Sequence, residues 1–162
     1  VAESEERLAR DFDAIPYRAD SSVDRQDGRY CHPSLRLNIN GKRIWWAHKL
    51  AGVGKGATRE NSMRNYLRRL RFDMYAEKTT PPDYLIGSHF HQRLYTPDAY
   101  RDHEMRGFVL PSYKLKDDYT FEGFAPFGLS EIGMHWISVD ENGRDEWGWL
   151  SHAVEQVKEM KE

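Results

Sequence analysis

The chain's 162 residues are 39% hydrophobic and 31% charged, with a formal net charge of −2. That length suits one domain with its own core, and the near-neutral balance gives no global basic field for nucleic acid or an anionic membrane. No run approaches the roughly 18 apolar residues of a membrane span, no signal-peptide pattern is read at the start, and the single Cys31 excludes an intramolecular disulfide.

One cysteine suits a reducing compartment, so a cytoplasmic setting is expected. Five Trp, nine Tyr and seven Phe favour a mixed or sheet-rich fold over a bare helical bundle. In chain order, residues 2–14 read as a helix, with Leu8, Phe12 and Ile15 spaced to share a face. Residues 18–33 are polar and punctuated by Gly and Asp, which predicts a loop. Leu35, Leu37 and Ile39 alternate with polar residues, the period of a half-buried strand. Asn40-Gly41 then signals a tight hairpin turn, because both central residues of a type I′ turn need positive φ. The return strand runs from Lys42 to Ala47, and His48 follows it.

A Gly-rich loop over 49–57 leads to Thr58, a predicted N-cap. The helix it starts spans 59–78, with Met63, Tyr66, Leu67, Leu70 and Met74 as its apolar stripe and Arg64, Arg68, Arg69 and Arg71 outside. Tyr84-Leu85-Ile86 reads as a buried strand, 92–106 as a loop, and 107–110, 113–116 and 132–139 as further strands. Asn142-Gly143 marks a turn, Trp147 and Trp149 sit in a short strand or loop, and Leu150, Ala153, Val154 and Val157 give a C-terminal helix one apolar face. The pattern predicts a single α/β domain over 1–162, with a mixed sheet and packed helices.

Three of the seven histidines have a geometric case. His89-Phe90-His91 follows a strand, where alternation puts both imidazoles on one side. His48 ends a separate strand, and open α/β sheets place their sites at the carboxyl ends of strands. If the two strands are neighbours, all three rings gather at one edge as metal ligands. Three histidines without a nearby carboxylate form a zinc-like set, although an isolated His-x-His is more often an ordinary surface feature. His103, His135 and His152 have no convergent partner and read as structural, and Trp45, Trp46 and Trp136 read as core.

Other patterns carry less. Gly52-Val53-Gly54-Lys55-Gly56-Ala57-Thr58 lacks the Lys-Ser/Thr step of a Walker loop. Backbone N–H groups there still suit a substrate phosphate, with Lys49 and Lys55 as its candidate contacts. A cupin-like site needs a Glu a few residues after His-x-His, but Gln92, Arg93, Leu94 and Tyr95 follow. The arginine run could steer a nucleic-acid backbone, although a solvated face beside Glu60, Asp73 and Glu77 explains it as well.

Ala47-His48 after an apolar strand, then a long helix, then Pro82-Asp83-Tyr84-Leu85-Ile86-Gly87-Ser88-His89-Phe90-His91, resembles the last two motifs of the calcineurin-like metallophosphoesterase family. In that family a lone His ends one strand, and a later apolar strand delivers Gly-His-x-His. Here Ser88 intervenes between Gly87 and His89, a departure from the pattern. Gly107 to Tyr113 resembles the strand and turn that follow the final motif, so the likeness covers about residues 35–140.

The resemblance implies a fold like the C-terminal half of an α/β/β/α sandwich. It implies that His48 and His89 bind one ion, and His91 the other, of a two-metal centre of Mn, Fe or Zn. Two ions about 4 Å apart would polarise a phosphate mono- or diester and activate water for in-line attack. The family's Asp-x-His, Gly-Asp-x-x-Asp and Gly-Asn-His-Glu/Asp motifs are not in these residues, and His32 matches none of them. The leaving-group His belongs to the last of these, so no catalytic residue is assigned. Val1 is expected to lie shortly after that motif, the N-terminal half of the same domain is an expected partner, and the chain alone is expected to be inactive. The rivals are a non-catalytic or degenerate binding module with incidental histidines, and a DNA nuclease subunit.

Overall fold

The structure is a computed structural model that describes residues 7, 9–12, 34–51, 56–90, 92–111 and 130–154. Of the predicted first helix, residues 7 and 9–11 are helical, and Phe12 stands 78% exposed. The rest of that segment, the loop over 18–33, the strand over 113–116, His32, Lys55 and His91 lie outside the described residues.

The hairpin forms as the sequence dictates. Strands β1 (Ser34–Ile39) and β2 (Lys42–Ala47) pair antiparallel around Asn40 and Gly41, whose φ values of 47° and 88° satisfy the turn. After a 3₁₀ turn at Gly56–Thr58 comes helix α1 (Asn61–Ala76). Thr58 is therefore not its N-cap. That position falls to Glu60, in αR conformation and without a side-chain capping bond.

Strand β3 (Tyr84–Gly87) is buried along its whole length and lies parallel to β2, as a continuous apolar run covered on both faces should. The predicted loop over 92–106 instead holds β4 (Leu94–Tyr100) and the first part of β5 (His103–Val109), a second hairpin turning at Arg101-Asp102, and the strand expected at 107–110 is the end of β5. Arg101 takes a φ of 52° with no glycine to advertise the turn. Pro97 sits within β4, where it is tolerated because β4 is the sheet edge. The five strands run in the order β1-β2-β3-β5-β4, with β2, β3 and β5 mutually parallel.

Period-2 alternation divides the core between the two faces of this sheet. On one face Leu85, Met105, Val109 and Leu94 meet Met63 and Leu67 of α1. Gly107 lets the helix approach, since a Cβ there would lie 2.9 Å from Met63 Cγ and 3.0 Å from Leu67 Cδ1. Buried Arg71 also anchors α1, reaching Asp98 of β4 at 3.1 Å. On the other face Ile44, Tyr84, Ile86 and Phe108 meet Ile137, Trp147 and Trp149 of a third hairpin, β6 (Ser130–Val139) and β7 (Asp145–Val154). Leu150, Ala153 and Val154 thus lie in a strand, not the predicted helix. Trp147 and Trp149 point inward, and Leu150, next along the strand, is 60% exposed. Trp136, expected in the core, is partly exposed on the outer side.

Among the described residues the fold is mixed α/β: helix α1, a five-stranded mixed sheet and a two-stranded hairpin in successive layers. Among the described residues no helix is long and apolar enough to cross a membrane.

Candidate metal centre

Ala47 pairs with Gly87, Gly87 with Val109 and Val109 with Leu94, so one row crosses the sheet where its parallel strands end. His48 comes immediately beyond this row, and the Ser88 N–H donates to its carbonyl at 3.0 Å. His89 is not aimed by strand alternation, because β3 ends at Gly87. Its φ is 77°, and the Phe90 N–H closes onto the Ser88 carbonyl at 3.0 Å. This is a γ-turn of the strained, positive-φ kind, centred on His89.

The turn brings the two imidazoles together. His48 Nε2 lies 3.2 Å from His89 Nδ1, with the rings edge to face at 74° and 5.1 Å between centroids. Two nitrogens so placed can share one proton as donor and acceptor, or direct both lone pairs at one cation. Nitrogens held 2.0–2.1 Å from a tetrahedral ion stand about 3.3 Å apart, so the donor pair fits a metal. His48 is exposed and His89 half-buried, which leaves the pair accessible from solvent. Leu50 folds back over Gly87, where an added Cβ would meet its side chain at 3.1 Å, so the absence of a side chain there lets the two loops close on each other.

The other predicted contacts divide. Lys49 is exposed and directly follows His48, whereas Lys55 and His91 fall outside the described residues. Among the described residues no group of three or more His, Cys, Asp or Glu is assembled for a metal. His48 and His89 therefore stand as a pair among the described residues.

The remaining described histidines are elsewhere. His103 does have a partner, Asp83, whose Oδ1 is 3.2 Å from its Nε2. Burial, outweighing that carboxylate, moves its pKa down. His135 lies against Phe108 and Trp149, with centroids 4.1 and 4.7 Å away, and burial pushes it down to about 4. His152 is exposed on β7.

A charge cluster that the sequence did not reveal tethers the third hairpin to the sheet. Asp145 of β7 accepts from Lys42 at 2.5 Å, from the Tyr84 hydroxyl and from Arg106. Burial alone would raise its carboxyl, but those three donors prevail and hold it at about 2. These residues come from four strands and sit toward the amino ends of β2 and β3, away from the histidines. Their role is architectural.

The arginine face of α1 is largely neutralised. Arg64 pairs with Glu60 at 2.7 Å, Arg68 with Asp98 at 3.3 Å and Arg69 with Asp73 at 3.8 Å. Such pairing leaves little field along the helix for a nucleic-acid backbone. No protein-family model and no curated protein sequence matches this chain.

Proposed function

We propose that this chain carries the histidine-bearing part of a metal-dependent phosphoesterase, of the calcineurin-like kind, acting on a phosphate mono- or diester. The supporting observation is that His48 and His89 meet beyond the ends of two adjacent parallel strands with ring nitrogens 3.2 Å apart. Imidazole donors suit Zn, Fe or Mn. His91, two residues on, is the further ligand, belonging to the second ion of the pair. When bound, the metal supplies Lewis-acid polarisation of the phosphoryl group and lowers the pKa of water.

The chain's own contribution is orientation. The Ser88 N–H fixes the carbonyl of His48, and the γ-turn swings His89 toward it. A non-glycine residue held in a sparsely populated backbone region costs on the order of 1–3 kcal/mol, and such strain clusters where a side chain must be aimed. Exposed Lys49, together with Lys55, would meet the negative charge of the phosphoester. Acidic ligands and a leaving-group acid would come from an N-terminal half of the same domain, so these residues alone would not turn over.

Calorimetric titration of the chain with Zn²⁺ and Mn²⁺ tests the proposal. Saturable uptake is expected, and His48→Ala or His89→Ala should abolish it while circular dichroism and the urea midpoint hold. No saturable uptake, or uptake indifferent to both substitutions, defeats the proposal in favour of incidental histidines.

A further inference from the structure

A groove of about 720 Å³ opens between the start of α1, the start of β4 and the middle of β7. Arg59, Arg64 and Arg93 line it with Tyr95 and Trp149, against a single acidic residue, Glu60. Arg59 donates to the Arg93 carbonyl at 2.7 Å, and its Nε is buried without a partner among the described residues. The Arg93 guanidinium lies 5.9 Å from the Trp149 ring centroid, at the outer limit of a cation–π contact. Below Trp149 lie His135 and Phe108, which brace the indole from the core side. The groove thus combines an aromatic floor, fixed in place, with a rim bearing the guanidinium groups of Arg59 and Arg93, Arg64 being paired with Glu60.

From this we infer that the groove binds a mononucleotide, its base on Trp149 and Tyr95 and its phosphate among the arginines. A planar group is held by stacking, and guanidinium forks match phosphate oxygens with two parallel N–H donors. The volume falls in the range of small-ligand pockets. A longer strand would have to leave the groove along α1, where Arg64, Arg68 and Arg69 already face carboxylates. That favours one nucleotide over a polymer.

Position links the groove to the candidate metal centre. Leu94, which lines it, shares the terminal row of the sheet with Gly87, two strands away. Two strand spacings are about 10 Å. On the phosphoesterase reading, on which only this link rests, the groove holds the nucleotide part of the substrate beside the candidate metal centre.

The test is calorimetry on the metal-free chain with AMP, adenosine, inorganic phosphate and an oligo(dT) strand. AMP should bind saturably, with adenosine and phosphate each at least about tenfold weaker, since each lacks one half of the recognition. Arg59→Ala and Arg93→Ala should each weaken AMP by about tenfold or more. Trp149→Phe, chosen to keep the core packed, should weaken it less. AMP binding no tighter than phosphate, or indifferent to both arginine substitutions, overturns the inference. So does oligo(dT) binding tighter than AMP. Zn²⁺ uptake without AMP binding sinks the groove alone, and AMP binding without Zn²⁺ uptake sinks the metal centre alone.

Discussion

Replacing Asp145 by Asn should destabilise the fold at neutral pH and make no difference in strong acid. Asp145 is 9% exposed at its side chain and accepts from Lys42, Tyr84 and Arg106. The amide keeps the shape but removes the charge that two cations face. A carboxyl lowered from 3.8 to about 2 stabilises the native state by roughly 2 kcal/mol, at 1.36 kcal/mol per pH unit. Because the folded value is the depressed one, this contribution is complete above about pH 4 and fades as the pH falls through 2. Urea unfolding followed by Trp fluorescence, run on both proteins at pH 7 and again near pH 2, gives the comparison. Other carboxylates titrate in both proteins, so the difference isolates position 145. Equal stability at pH 7, or a gap as wide at pH 2 as at pH 7, would refute the tether.

Two further expectations follow from the packing. His135 is kept neutral by burial, so its contribution is complete above its unfolded value of 6.5 and is lost as the pH falls toward about 4. His135→Phe should flatten the melting temperature across that window, and an unchanged slope would show that the ring is not the titrating group. Gly107→Val would press two extra methyls and a Cβ into Met63 and Leu67, and should cost about 1–3 kcal/mol in denaturant unfolding. An unaltered midpoint would mean that α1 does not rest on β5.

Local chemistry made parts of the fold legible in the sequence. Asn40-Gly41 announces its own dihedrals, and Tyr84-Leu85-Ile86 is apolar because both faces of the sheet cover it. Where signals failed, a competing pattern hid the answer. Pro97 and a turn without glycine disguised β4 and residues 103–106 of β5 as loop, while the strand expected at 107–110 is the end of β5. Around β7, Leu150, Ala153 and Val154 mimic a helical stripe, while the inward Trp147 and Trp149 follow period 2. The pairing of His48 with His89 could be anticipated because each follows a strand. The γ-turn that aims His89 could not, since nothing in Gly-Ser-His requires positive φ. The groove was hidden for another reason: Arg59, Arg93 and Trp149 are distant in the chain and meet only through the layers.

The backbone at residue 89 sets stability and aim against each other. Glycine adopts a φ of 77° without penalty, so a library sorted only for heat resistance should drift toward glycine there. The hardier descendants would melt later and look sound by every structural assay, yet their loop would no longer present an imidazole to His48.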